Sequence, residues 1–187
     1  NLYMTMGAAA SLSIAFKALT SSPDDEIIAI APFFPEYRVF VTAAGAKFNV
    51  VAPDTKNFQI NFDEFEKLVN KNTKAVIINS PNNPSGAVYS EQTIKKLADF
   101  LSKKSEEYGT HIFIITDEPY REIVYDGVEV PYVTKYYNDT IVCYSYSKSL
   151  SLPGERIGYI FIPEGAADCR KLYAAVCGAG RALGFVC

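Results

Sequence analysis

Short runs rich in isoleucine, valine and phenylalanine alternate along this chain with longer stretches whose apolar positions return at helical spacing. The runs 27-IIAIA-31, 47-KFNVVA-52, 74-KAVIINS-80, 111-HIFIITD-117, 140-TIVCYSYS-147 and 157-IGYIFIP-163 read as strands. Their β-branched density suits strands covered on both faces. The stretches 8-AAASLSIAFKAL-19, 36-EYRVFVTAAG-45, 62-FDEFEKLVNK-71, 91-EQTIKKLADFLSKKSEEYG-109 and 165-GAADCRKLYAAVCG-178 read as helices. In the fourth, Ile94, Leu97, Phe100 and Leu101 form one apolar face, Ser90 supplies an N-cap and Gly109 a C-terminal stop. Alternation of this kind predicts an α/β fold, a mainly parallel (mixed) sheet flanked by helices on both faces. Loops such as 81-PNNPSG-86 and 116-TDEPY-120 follow strand ends, which is where open α/β sheets bind ligands.

Hydrophobic residues make up 49% of the 187, and the mean hydropathy is +0.03, so residues 1–187 read as a single globular domain with a large core. The formal net charge of −3 comes from dispersed charges of both signs. That argues against a nucleic-acid surface or a basic membrane patch and turns attention to small molecules, or to copies of the chain itself, as partners. The four cysteines, Cys143, Cys169, Cys177 and Cys187, show no CxxC or CxxH spacing, and His111 is the only histidine, so the sequence offers no metal set. Such cysteine usage fits a reduced, cytoplasmic setting. No apolar run approaches the length of a membrane span, and no charged-then-apolar leader opens the chain. With no initiator methionine and an end at 184-GFVC-187, both termini are expected to be cuts inside a longer protein.

Chemistry-bearing residues gather at the strand ends. Asn83 stands in NNPSG, Asp117 and Tyr120 in DEPY, Lys148 in 144-YSYSKSLSLPGERIGY-159, and Arg156 in ERIG. Upstream, 4-MTMGAAAS-11 places small residues where a helix begins, so backbone N–H groups can face an anion with no side chain in the way. Singly, each has a plain structural reading: turn chemistry for NNPSG, a cap or ion pair for Asp117, a salt bridge for Arg156, core packing for Tyr120, a strand start for His111. Lys148 alone reads either as a surface residue or, following an apolar strand among hydroxyl residues, as a nucleophilic amine. Together, a lysine for a Schiff base, a carboxylate for a pyridinium nitrogen, and an arginine plus a helix start for a phosphate are what pyridoxal 5′-phosphate needs from a protein. No GxGxxG or GxxxxGK loop follows any strand, so a nucleotide-binding domain has no support.

On these motifs the chain resembles the large domain of the fold type I, class I/II aminotransferases, the aspartate aminotransferase superfamily, over essentially its whole length. The resemblance implies that Lys148, in SYSKSLSLPGERIG, is the Schiff-base lysine and that Arg156, with Ser145 and Ser147, binds the cofactor phosphate. It implies that Asp117 pairs with the pyridine nitrogen, and that Tyr120 and Asn83, the latter in an NP(T/S)G-like segment, hydrogen-bond the phenolic oxygen. TMGAAAS resembles the family's glycine-containing phosphate loop, so Ala8 and Ala9 are expected to bind through backbone N–H, where many relatives carry a polar side chain. The segment 32-PFFPEY-37 resembles the one that supplies a ring to stack on the cofactor, with Phe34 preferred over Phe33 and Tyr37.

The same resemblance implies a transaminase acting on an amino acid and a 2-oxo acid, with Lys148, Asp117 and Tyr120 as catalytic residues. Lys148 would remove the α-proton as general base, Asp117 would keep the ring nitrogen protonated, and Tyr120 and Asn83 would tune the phenolic oxygen. Family members form homodimers and continue into a small domain that carries an arginine for the substrate α-carboxylate; Arg181, in GAGRALG, is a poor substitute for it on position. The fragment is therefore expected to hold the cofactor site with little or no turnover. Two alternatives share the motifs: a carbon–sulfur lyase of the same fold, and an aminotransferase-like sensor domain of a transcription regulator. Which amino acid is the substrate does not follow from these residues.

Overall fold

Side chains along each strand point alternately to the two faces of the sheet, and a helical layer covers each face. The computed structural model describes residues 1–184. In chain order the elements are β1 (Leu2–Thr5), α1 (Ala8–Leu19), β2 (Glu26–Ile30), α2 (Glu36–Ala44), β3 (Lys47–Val51), α3 (Phe62–Leu68), β4 (Thr73–Asn79), α4 (Glu91–Tyr108), β5 (Phe113–Asp117), a 3₁₀ turn (Val133–Lys135), β6 (Thr140–Ser145), α5 (Tyr146–Ser149), β7 (Gly158–Phe161) and α6 (Cys169–Ala182). The seven-stranded sheet has the order β1-β7-β6-β5-β4-β2-β3. From β6 to β3 all neighbours are parallel, while β7 runs antiparallel to both β6 and β1. The sheet is thus mixed and mainly parallel, as the alternation predicts.

The period of two sorts the core into two layers. Ile27, Ala29, Ala75, Ile77, Ile115, Ile141 and Cys143 pack with Leu12, Phe16, Tyr37, Val41, Leu172 and Val176 of α1, α2 and α6. Ile28, Ile30, Val76, Ile78 and Ile114 pack on the other side with Phe65, Ile94, Leu97 and Leu101 of α3 and α4. Each fully buried aliphatic side chain contributes about 1.5–3 kcal/mol over its exposed state, so a shift of one residue in any central strand is strongly opposed. Ser90 caps α4 by accepting from the Thr93 N–H, and Gly109 ends it in the left-handed conformation at φ 64°. Among the described residues no helix is long and apolar enough to cross a membrane. Cys143 is buried, and Cys169 and Cys177 are free thiols; Cys187 lies outside the described residues.

Several boundaries differ from the sequence pattern, each for a local reason. β1 carries no strand signal of its own; pairing of Leu2 with Phe161 and Met4 with Tyr159 makes it a strand. The run expected to stay extended through residue 147 stops at Ser145, where the Ser145 hydroxyl accepts from the Ser147 N–H and starts the helical turn α5. α3 ends at Leu68, and α6 begins only at Cys169 because Asp168, at φ 47°, lies outside the helical region.

Candidate active site

Three adjacent strands deliver the polar residues to one end of the sheet. β4 ends at Asn79 and β5 at Asp117, which pair with each other across the ladder. The buried Asn79 side chain uses that register: its Nδ2 donates to the Asp117 carbonyl at 2.8 Å, and its Oδ1 accepts from the Asn83 N–H at 2.6 Å. One amide therefore ties the NNPSG loop to the end of β5. β6 ends at Ser145, which caps α5 and so presents Lys148 one strand further along. Its hydroxyl donates to Ser147 Oγ at 2.8 Å.

The opposite wall comes from the turn between β1 and α1. Gly7, at φ 85°, is the N-cap of α1 and makes no side-chain cap, so the first-turn N–H groups at Ala8 and Ala9 stay available. Thr5 and Ser11 share a buried hydroxyl contact at 2.7 Å, and Ser11 also donates to the Tyr159 carbonyl at 3.2 Å, locking the turn onto β7. A Cβ on Gly7 would lie 2.6 Å from Arg156 Nη2, in the space the guanidinium occupies. Arg156, at φ 52°, is held by the Pro153 carbonyl at 2.9 Å, the Met6 carbonyl at 3.3 Å and Ser147 Oγ at 3.5 Å.

Ala8, Ala9, Phe34, Asn83, Asp117, Tyr120, Ser145, Ser147, Lys148 and Arg156 all line one cavity of about 330 Å³, together with Leu12, Asn79, Pro119 and Pro153. No residue singled out for the site lies apart from it. Asn83 Nδ2 donates to the Tyr120 hydroxyl at 3.3 Å, and Lys148 Nζ lies 6.0 Å from the centre of the Tyr120 ring. Burial, then the charge of Asp117, pushes the Tyr120 phenol up, against the pull of the Asn83 hydrogen bond. Asp117 is 5% exposed, and one carboxylate oxygen, Oδ1, is buried with no hydrogen-bond partner among the described residues. Burial pushes its carboxyl up to about 7, opposed by a hydrogen bond from Tyr37 and reinforced by the charge of Glu118. An unpaired buried acceptor on a residue that lines the same cavity as a lysine and an arginine is a place where a cationic donor gains a great deal.

The model of the aminotransferase class I and II family matches residues 1–179. The chain belongs to this family. A crystal structure of an aminotransferase from Eubacterium rectale has 70% sequence identity to the chain and superposes with a TM-score of 0.99, covering 100% of this chain and 47% of that one. The aspartate aminotransferase of Thermotoga maritima has 32% identity and a TM-score of 0.84 over 97% of this chain and 46% of its own. A probable N-acetyl-LL-diaminopimelate aminotransferase of Bacillus subtilis is 33% identical over 89% of this chain and 40% of its length. The chain thus spans less than half the length of these relatives.

Members of this family depend on pyridoxal 5′-phosphate, and the cavity fits that group on its own terms. An orphaned acid oxygen suits a pyridinium N–H; the arginine and the uncapped helix start suit a phosphate dianion; Phe34 offers an apolar ring between them. The roles of two residues are not legible in the sequence. Asn79 looked like the polar end of a strand, and only its register with Asp117 reveals a clamp. Tyr37, a lesser candidate than Phe34 for the stacking ring, instead sets its hydroxyl against Asp117 Oδ2 and does not line the cavity.

Proposed function

We propose that this chain is part of the cofactor-binding large domain of a pyridoxal phosphate-dependent aminotransferase, which moves an amino group from an amino acid to a 2-oxo acid. The observation that carries the reading is the meeting of Lys148, Arg156 and the unpartnered Oδ1 of Asp117 around one cavity. Lys148 would hold the cofactor covalently, Asp117 its ring nitrogen, Tyr120 and Asn83 its phenolic oxygen, and Phe34 one face of its ring. Arg156, the Ser145 and Ser147 hydroxyls and the backbone at Ala8 and Ala9 would hold its phosphate. When bound, the cofactor supplies an aldehyde that amines condense with and a cationic ring that draws off the electrons left when the α-proton departs. The residues do the rest. Lys148, as a neutral amine beside the bound substrate, would accept the α-proton at Nζ and hand it back as a general acid. Asp117 would hold the proton of a ring nitrogen placed against it, since a paired carboxylate in a dry site is far more stable than a bare one.

The aminotransferase relatives described above favour transamination over carbon–sulfur cleavage or a sensor role. The reading extends to the remainder of the molecule. A chain spanning 40–47% of its relatives' length is expected to lack part of the substrate pocket and to turn over little by itself. The complete enzyme is read as a homodimer, and the free thiols Cys143, Cys169 and Cys177 suit a reduced cytoplasm.

The test is the visible absorption spectrum of the chain after incubation with pyridoxal phosphate and desalting, beside Lys148→Ala. A yellow band retained by the native chain and lost in the variant is the expected result. Retention of an identical band by Lys148→Ala would overturn the assignment of the lysine, and no band in either chain or in the complete protein would overturn the cofactor.

A further inference from the structure

Asp117 is held by a side chain whose motif suggests a different role. Tyr37, in the first turn of α2, is 1% exposed. Its ring is stacked on Phe33 with centroids 6.4 Å apart and meets Phe34 edge-on at 5.7 Å. Its hydroxyl donates to Asp117 Oδ2 at 2.5 Å. The other carboxylate oxygen is buried and has no partner, and Asp117 lines the cavity while Tyr37 does not. One oxygen of this cavity-lining acid is therefore taken by a protein donor, and the other has none.

We propose that Tyr37 is a positioning residue for the cofactor's ring nitrogen: by donating to Oδ2 it fixes the rotation of the Asp117 carboxyl and reserves Oδ1 for a cationic N–H in the cavity. This rests on the reading of the site as a pyridoxal phosphate site. A carboxylate with both oxygens bare in a dry interior is costly, and a donor on one of them favours the ionised form. The titratable groups facing Asp117 are Tyr37 from α2, Cys143 on β6, Tyr120 and Glu118 from its own loop, and Lys148 from α5 across the cavity. Burial and the charge of Asp117 push the Tyr37 phenol and the Cys143 thiol well up, so both stay neutral and Tyr37 stays a donor. Glu118 opposes ionisation of Asp117, which leaves Tyr37 as the one group in contact with the carboxyl that favours its charge. The aromatic packing on Phe33 and Phe34 holds that donor in place with little freedom to lose.

The deciding experiment titrates the cofactor-free chain with carbon-13 in its aspartate carboxyls, the Asp117 signal being the one that vanishes in Asp117→Asn. In Tyr37→Phe the Asp117 titration is expected to move up by about one pH unit, and retention of pyridoxal phosphate in equilibrium dialysis to fall about tenfold, the factor that one such unit represents. A purely structural Tyr37 would change the unfolding midpoint and leave the titration where it was, and an unmoved titration overturns the proposal. Should Tyr37→Phe fail to fold, a ring-fluorinated tyrosine placed at position 37, nearly the same shape but a stronger donor, is expected to move the titration down; no movement overturns the proposal equally. Failure of the native chain and of the complete protein to retain the cofactor would instead sink the reading of the site, while the titration still answers for Tyr37.

Discussion

Without its cofactor the protein is expected to be less stable at neutral pH than in mild acid, and Asp117 is the reason. Its carboxyl titrates at about 7 in the folded chain against an ordinary value of 3.8, because burial penalises the charge. In the unfolded chain the proton leaves near the ordinary value. Between the two, the folded form holds a proton that the unfolded form has lost, so stability falls as pH rises through this window and levels off above it. At about 1.4 kcal/mol per pH unit the gap amounts to about 4 kcal/mol, a large share of the 5–15 kcal/mol or so that holds an ordinary domain together. Asp117→Asn removes the titration, keeps the shape and leaves an oxygen to accept from Tyr37.

Urea unfolding of both cofactor-free proteins across this range provides the assay. Asp117→Asn is expected to be the more stable protein near neutral pH, by up to about 4 kcal/mol, with the difference closing as the acid end of the window is approached. Pyridoxal phosphate should then invert the order at neutral pH, because binding to the folded state alone stabilises the native chain and does much less for the variant. A difference that stays constant with pH, or a native chain already the more stable at neutral pH without cofactor, would refute the claim that the burial of Asp117 outweighs its one hydrogen bond.

Two further predictions concern the frame around the site. A Cβ on Gly158 would stand 2.4 Å from the Tyr144 carbonyl and 2.9 Å from Gly7 Cα, both backbone, so Gly158→Ala is expected to cost about 1–3 kcal/mol in urea unfolding and to weaken cofactor retention, whereas Gly154→Ala, with nothing within 4 Å, should change neither. Asn79→Leu leaves the Asp117 carbonyl and the Asn83 N–H without partners; a loss of about 2–4 kcal/mol is expected from two stranded groups, and an unchanged unfolding midpoint would show that the amide clamp contributes nothing.

Much of this was legible because the informative residues are local. NNPSG, DEPY and SYSK each sit where a strand leaves the sheet, so a reader needs only strand ends and chemistry to gather Asn83, Asp117, Tyr120 and Lys148 into one site. The strand pattern failed where alternation continued past the sheet: Tyr144-Ser145-Tyr146-Ser147 reads as extended, yet the Ser145 cap bends it into the helical turn that carries Lys148. β1 was invisible because four residues hold no periodicity, and its identity comes from β7. Tyr37 was out of reach for a different reason. Its partner lies 80 residues away, and PFFPEY offered three aromatic rings with nothing local to say which would turn its edge to a carboxylate.

Register is what converts these separate segments into a site. Asn79 pairs with Asp117, Asp117 with Cys143 and Ser145 with Gly158, so β4 to β7 present their ends as one row. At about 4.8 Å per strand that row spans about 14 Å, wide enough for an acid to hold one end of a flat molecule and an arginine its charged arm. The row is kept in line by the two core layers, which would lose every buried strand side chain if a strand slipped by one residue. Rigidity of that kind lets the fold keep a carboxylate where no carboxylate would settle by itself. Asp117 breaks the rule that buried acids are paired, and the broken rule lies on the wall that Lys148 and Arg156 share. A carboxyl whose charge is penalised by burial and half satisfied by the protein is therefore the strongest reason, beyond the motifs, to expect a cation at this wall.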